Sequence, residues 1–474
     1  MITKKIKTMM FIDWDMWETL TAFMNYVDPV IHYKGQEYKV ELGKLTAKPH
    51  LCGTDIKEEA DFIIDRCSHW NGYYKCMAHT AMNSGIKFAN NSQTNSNLDK
   101  QNCYDVLIKG MHPHDRHPVT VLLPQFNPYT DDQIRQYWWQ AEQEQIIANT
   151  KFGFDPDRSY VDWDKFNAKM KRSRQIDGKI REIRAAFYEG GNYIKEAVEK
   201  YFDNKFPLYL KKGFGGGGSD VYKVNSLEEL YEKYDETGGK VFHIQEAIEN
   251  YDIFIRCMAI GPQVLPMRYQ PEAPIHQHYS EEKIKIDKDV FERLKNYVLH
   301  INSYHRWTYN SFECLIKEGV IHPIDYANAC PDSFFTSLHA HFPWLICALV
   351  KWSTFCAVTE VDLRVDMEQK RYQKILNDPK VSQLEKYEFC AEMNKEYFQI
   401  DKFQEYCEEN FKGLEDKMID FYDKNIDKII DMAMHYSDFP KEEHGHMARY
   451  YKNLMEENFR ANARDYLTSV IFNG

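Results

Sequence analysis

Basic charge, paired cysteines, long apolar runs and glycine are all in short supply in this sequence, and each shortage excludes something. Sixty lysines and arginines stand against 72 aspartates and glutamates, a formal charge of −12. Binding to a nucleic-acid backbone is driven by lysine and arginine, so a general nucleic-acid binder is excluded and only a local basic patch remains open. The 11 cysteines hold no CxxC pair from which a zinc ribbon could be built. Odd in number and scattered, they read as reduced thiols of a cytoplasmic protein. The longest apolar run, Phe342 to Val358, is broken by Lys351 and reads as a buried helix rather than a membrane span. Near the N-terminus only Met9 to Ile12 precede Asp13, far short of a secretory apolar core.

What is present is ample material for burial. A chain of 474 residues with 43% hydrophobic and 15% aromatic residues exceeds one compact core and is expected to form several domains. Residues 1–125 read as an α/β lobe poor in long helices. Residues 126–200 are polar and largely helical, with eight lysines and arginines between Lys165 and Arg184, either a solvated helix face or a dock for an anionic partner. Residues 201–358 carry the motifs. Residues 359–474 are charged and helical, with Leu414, Met418, Phe421, Ile426, Ile429, Ile430 and Ala433 at helical spacing. That tail is expected to cover the lobes or to make a homo-oligomer contact.

Glycine numbers only 22, yet five fall at Gly213 and Gly215 to Gly218. Without Cβ, such a loop can bring backbone N–H groups against phosphate oxygens. The dinucleotide fingerprint needs a helix directly after the glycines, and Val221 to Val224 reads as a strand. A Walker A loop needs lysine after its last glycine; here Ser219 and Asp220 follow, and Lys211 and Lys212 precede. A protein kinase would also show HRD and DFG, and neither occurs. The remaining order is strand, glycine flap, strand, then a helix opened by Ser226 with Glu229 at capping-box spacing. Val241 to Glu246 and Ile253 to Ile260 read as further strands.

Downstream, Asn310 to Ile316 and Val320 to Tyr326 read as two strands flanking Lys317-Glu318-Gly319. A three-residue loop there would place Glu313 opposite Pro323 and make Asp325 its diagonal neighbour, roughly 7–8 Å away. Two carboxylates so placed suit Mg²⁺, which takes hard oxygen ligands, with Asn328 adding a neutral oxygen.

These two constellations resemble the ATP-grasp superfamily, and IQEAIENYDIFIRCMAIG resembles the RimK-type carboxylate-amine ligases in particular. The resemblance spans about Leu98 to Asp332, interrupted by the helical stretch. It implies an α+β fold in which two lobes with antiparallel sheets hold ATP, preceded by an α/β domain and followed here by a helical extension. It implies Lys211, Gly215, Gly216, Gly217, Gly218 and Ser219 on the phosphates, Gln245, Glu246 and Ile248 at adenine, and Asp252 near the ribose. The order of polar loop, Asp99-Lys100, short helix and Pro118 to Pro124 strand makes Lys100 a further phosphate ligand; the competing reading is a surface lysine. Glu313, Asp325 and Asn328 become ligands of Mg²⁺, or of Mn²⁺ in its place. The family pattern has Glu-x-Asn where this chain has Asp325 and, three residues on, Asn328.

Arg256 and Arg268 are implied at the γ-phosphate or the acyl phosphate, where a guanidinium fork matches two oxygens. Arg66 and His69, just beyond the strand at Ala60 to Asp65, are expected near the substrate, with an ordinary structural role the alternative for His69. His112, His114 and His117 read as a loop rather than a metal site. The implied activity is ATP-dependent joining of a small-molecule or peptide carboxylate to an amine through an acyl phosphate. An ATP-grasp kinase and a non-catalytic nucleotide binder are the other two readings. All three require the glycine flap and the acidic hairpin to meet on one triphosphate.

Overall fold

A computed structural model describes residues 1–10, 14–95, 99–123, 193–214, 221–236, 241–359, 361–363, 366–468 and 471–472. They fall into two compact units, residues 1–117 with 248–474, and residues 118–247. The basic run at 165–184 and most of the 126–200 segment lie outside the described residues.

The larger unit begins with five strands: β1 (Ile2–Met9), β2 (Ile31–Tyr33), β3 (Gln36–Lys44), β4 (Phe62–Asp65) and β5 (Lys87–Phe88), ordered β2-β3-β1-β4-β5. β1 runs parallel to β3 and β4, and β4 parallel to β5, while β2 and β3 form an antiparallel hairpin. β4 shows why the sheet is covered on both sides: its run Phe-Ile-Ile has no exposed residue, as a strand with two buried faces requires. Phe62 and Ile64 join the main core with Ile6 and Leu20, whereas Ile63 joins a smaller cluster with Met77, Ala78 and Ala81 of the helix Gly72–Asn83. Asn71 starts that helix by accepting the Tyr74 N–H at 3.1 Å.

The smaller unit holds β6 (Thr120–Leu123), β7 (Leu208–Lys212), β8 (Val221–Val224) and β9 (Phe242–Glu246), an antiparallel sheet ordered β6-β9-β7-β8. Alternation decides its faces. Leu208, Leu210, Phe242 and Ile244 pack with Ile194 and Val198 of the helix Tyr193–Phe202 and with Leu230 and Tyr234 of the helix Leu227–Glu236. Thr120, Tyr209, Lys211, His243 and Gln245 take the other parity. The expected cap is present: Ser226 Oγ accepts the Glu229 N–H at 3.1 Å, and the Glu229 carboxylate reaches back to the Asn225 N–H at 2.7 Å.

Back in the larger unit, β10 (Ile253–Ile260), β11 (Gln263–Arg268), β13 (Tyr309–Lys317) and β14 (Val320–Asn328) form a second antiparallel sheet, ordered β11-β10-β13-β14. Between β11 and β13, β12 (Lys285–Ile286) pairs in parallel with β15 (Ile471–Phe472). Every residue of the helix Phe342–Thr359 is buried except Lys351, whose ammonium pairs with Glu415. The stretch Phe335–Thr359 that contains this helix is apolar and long enough to cross a membrane, and 94% of its apolar window is buried inside the protein. The helix Leu414–Tyr436 packs on the helix Trp14–Val27, with Phe23 and Phe421 ring centroids 5.3 Å apart. Its Leu414, Met418, Ile429 and Ile430 join the same core as Ile6 and Phe62. Residues of the first sheet and of this late helix therefore share one hydrophobic core.

Candidate active site

The turn between β13 and β14 is tighter than the expected three-residue loop. Lys317 pairs with Val320, so Glu318 and Gly319 alone reverse the chain, both at positive φ (52° and 76°), as a two-residue hairpin turn of this hand requires. A regular ladder from that turn would set Ile324 opposite Glu313. Instead the register shifts after Cys314, which faces Pro323, and Glu313 stands opposite Asp325. The diagonal geometry expected from the sequence is thus corrected to a direct one, in which opposed Cβ atoms are about 4.5–5.5 Å apart. The cause is a β-bulge, one extra residue on one strand.

A second shift follows at once, setting Ser311 opposite Asn328. In a regular strand, residues three apart point to opposite faces. The extra residue absorbed here returns Asn328 to the face of Asp325, and its Nδ2 donates to Ser311 Oγ at 3.0 Å. The bulge's backbone groups are held by one buried amide: Asn310 Oδ1 accepts the Asn328 N–H at 3.1 Å, and Asn310 Nδ2 donates to Tyr326 O at 3.2 Å.

Cations lie on both carboxylates. Arg256 pairs in register with Glu313 across β10 and β13, with Nε 3.5 Å from Oε1. Its other nitrogens donate to Ser311 Oγ at 3.3 Å and to the Tyr269 hydroxyl at 3.2 Å. Burial works to lower the Arg256 pKa, yet Tyr279, Glu313, Tyr269 and Asp332 hold it above its ordinary value. Lys100, buried at the first position of the helix Lys100–Gly110, donates to Asp325. Asp99 caps that helix through the Gln101 N–H at 2.8 Å. One turn on, the Tyr104 hydroxyl donates to Ile324 O at 3.2 Å, so a single helix places the lysine and holds the bulged residue. Lys100 is therefore a buried ion-pair partner rather than a surface lysine.

The smaller unit carries the other expected constellation. Lys211 Nζ donates to Gln245 Oε1 at 2.7 Å, and Gln245 Nε2 donates to Thr120 Oγ1 at 2.9 Å, along the polar face of β7, β9 and β6. The Glu246 carboxylate accepts the Val119 N–H at 3.1 Å. Ile248, the first residue of the larger unit after the crossing, is half-buried. Gly215, Gly216, Gly217, Gly218 and Ser219 lie outside the described residues.

Several expected residues are placed elsewhere or engaged otherwise. Arg268 pairs with Ile255, the neighbour of Arg256, so the pleat assigns it to the opposite face of the sheet. Its buried Nε has no hydrogen-bond partner among the described residues. The Asp252 carboxylate accepts the Glu318 N–H at 2.7 Å and so caps the β13–β14 turn. Arg66 is fully buried; it donates to Pro331 O and to Ser333 Oγ at 3.2 Å, with its guanidinium 4.5 Å from the Tyr309 ring centre. It braces the segment leaving β14. Burial, helped by Arg66, lowers the His69 pKa to about 4, leaving a neutral imidazole at pH 7. His112 Nδ1 accepts the His114 N–H at 3.2 Å and His117 Nε2 meets the Tyr326 hydroxyl at 3.0 Å, in keeping with a loop.

Sequence reasoning missed Ser311, Tyr269 and Asn310. Ser311 had a signal, lying two residues before Glu313 on a strand. The other two act through partners that sequence spacing does not reveal. Among the described residues no three histidine, cysteine or acidic side chains converge. The two opposed carboxylates and the Asn328 amide, whose Nδ2 is held by Ser311, form an all-oxygen set of the kind a hard divalent cation takes.

No known family matches the sequence, and no curated protein matches it. Similar solved structures include the D-alanine–D-alanine ligase of Bacillus anthracis, 14% identical over 76% of this chain and 100% of that one, at a TM-score of 0.40. The VanG D-Ala:D-Ser ligase of Enterococcus faecalis is 12% identical over 72% of this chain and 93% of its own, at 0.39. A RimK domain ATP-grasp protein of Sphaerobacter thermophilus is 12% identical over 69% and 92%, also at 0.39.

Proposed function

We propose that this chain is an ATP-grasp ligase that activates a carboxylate as an acyl phosphate and couples it to an amine. The observation that carries this is the opposition of Glu313 and Asp325, each with its own cation, the half-buried Arg256 and the buried Lys100. Glu313, Asp325 and Asn328 would hold Mg²⁺, which would neutralise triphosphate charge. Lys211 and Gln245, already bonded to one another, supply contacts for phosphate and adenine. The backbone of Glu246 and Ile248 lies at the adenine edge in this reading.

Phosphoryl transfer is chiefly a matter of placing groups and neutralising charge. A substrate carboxylate oxygen attacks the γ-phosphorus and ADP leaves. Arg256 stabilises the charge that gathers on the transferring group. An amine nitrogen then attacks the acyl carbon, and inorganic phosphate departs with the bonding pair of the C–O bond and takes up the proton that the amine nitrogen sheds. Lys100 exchanges its contact with Asp325 for a triphosphate oxygen. Arg268 has no part in this scheme, because the pleat sets it on the other face.

Incubation with Mg·ATP and pooled amino acids and peptides, followed by mass spectrometry, tests the reading. A ligase yields ADP, free phosphate and a condensed product. A phosphorylated product without free phosphate would make the chain a kinase, and nucleotide binding without turnover would make it a binder; either overturns ligation.

A further inference from the structure

Beside Arg256 lies a buried hydroxyl that nothing in the described residues satisfies. Tyr279 is 1% exposed, and its phenolic oxygen is buried without a hydrogen-bond partner. Burying an O–H unpaired costs stability, so its retention calls for a use. Its surroundings point to one. The Arg256 guanidinium carbon lies 5.8 Å from the Tyr279 ring centre and 5.1 Å from that of Tyr269. The two tyrosine rings meet edge to face at 5.3 Å. Tyr269 already accepts from Arg256 and contacts His278 Nδ1 at 3.1 Å, which leaves Tyr279 as the uncommitted donor of the group.

Tyr279 is also held firmly. The Nε2–H of His339 donates to Tyr279 O at 2.8 Å, and the Nε2–H of His341 donates to Ser280 O at 2.9 Å. Tyr269 and Tyr279 form an antiparallel bridge, and the Gln270 N–H donates to His278 O at 2.8 Å. The backbone is thus pinned on both sides of the residue. Burial raises the phenol's pKa well above its ordinary value, so it stays a proton donor throughout the working range.

We propose that Tyr279 is a substrate-contacting residue whose hydroxyl donates a hydrogen bond to a γ-phosphoryl oxygen that Arg256 neutralises. This rests on the ligase reading above and adds to it a donor that no sequence motif marks. A hydrogen bond from a buried neutral donor to a charged oxygen is among the stronger ones. It exists only while the γ-phosphoryl group is bound, so it favours the nucleotide carrying that group.

The test is Tyr279→Phe in the full chain, which deletes one oxygen. Affinities for Mg·ADP and for Mg·AMPPNP, a non-hydrolysed triphosphate, are measured by calorimetry, with thermal melting beside them. The wild type should bind AMPPNP more tightly than ADP, and the variant should lose roughly tenfold or more of that preference with ADP affinity unchanged. Its melting temperature should hold or rise, because an unsatisfied buried group is gone. A variant that keeps the wild-type preference, a wild type without one, or a fall in melting temperature overturns the proposal while leaving the ligase reading standing. A wild type that binds neither nucleotide overturns both.

Discussion

Lys100 donates to Asp325 with its own side chain 5% exposed and that of the carboxylate 27% exposed. The ammonium is therefore the more deeply buried partner, and it depends on the carboxylate more than the carboxylate depends on it. Removing one member of a buried pair leaves the other charge uncompensated, which costs more than the pair itself contributes.

Asp325→Asn should reduce ATP-dependent turnover by about a hundredfold or more, since an amide neither carries the charge that the proposed metal site needs nor balances Lys100. It should also lower stability by about 1–3 kcal/mol. Adding Lys100→Met to that variant should restore part of the stability and none of the activity. Steady-state assay with urea unfolding measures both, and wild-type turnover in Asp325→Asn would remove Asp325 from the metal set.

Asn310→Leu tests the second bulge. The variant loses the amide that accepts from Asn328 N and donates to Tyr326 O and to Asn302 Oδ1. Buried backbone groups would be left unsatisfied, at about 2–4 kcal/mol in all. Asn328 should also drift from Ser311, so the Mg²⁺ concentration giving half-maximal activity should rise. An unchanged metal requirement in a folded variant would mean that Asn328 is not a ligand.

Gly261→Ala tests the hairpin that carries Arg256. Gly261 and Pro262 turn β10 into β11, Gly261 at φ +57°, and a Cβ there would lie 2.3 Å from Trp352. Trp352 is buried in the helix Phe342–Thr359 and cannot yield cheaply. The expected loss is about 2–4 kcal/mol, read as a lower urea midpoint. An unchanged midpoint would contradict this packing.

Stability should fall as the medium turns acidic, and His339 and His341 give the sign. Burial lowers their pKa to about 4 and about 3, from 6.5. Around His339, Glu281 opposes the burial effect and His276 adds to it; Lys283 and His339 both press His341 further down. The unfolded chain thus takes up these protons first. Their contribution is complete above pH 6.5 and is lost between there and the folded values, at up to about 1.4 kcal/mol per pH unit for each imidazole. His341→Gln should flatten the urea-midpoint profile between pH 6.5 and 4.5. A slope unchanged by that substitution would assign the acid sensitivity to other groups.

Local pattern made much of this protein legible. The strand Val221–Val224, the strand Ile253–Ile260 and the helix Lys100–Gly110 stand where alternation and capping put them, and the apolar run at Phe342 forms a buried helix. The order of these elements is likewise a property of the sequence, because propensity, caps and period act within a few residues. Register is different. A slip of one residue moves a side chain to the other face of a sheet, and neither bulge beside Glu313 leaves a mark in the residue types. The partners that settle it are remote: Tyr104 holds Ile324 from 220 positions away, and Lys100 holds Asp325 from 225. So the sequence alone decided which strands and which acidic residues there would be. Only tertiary packing decided that Glu313 meets Asp325 directly, that Arg256 and Arg268 part to opposite faces, and that Asp252 serves a turn, since each depends on where a distant element comes to rest.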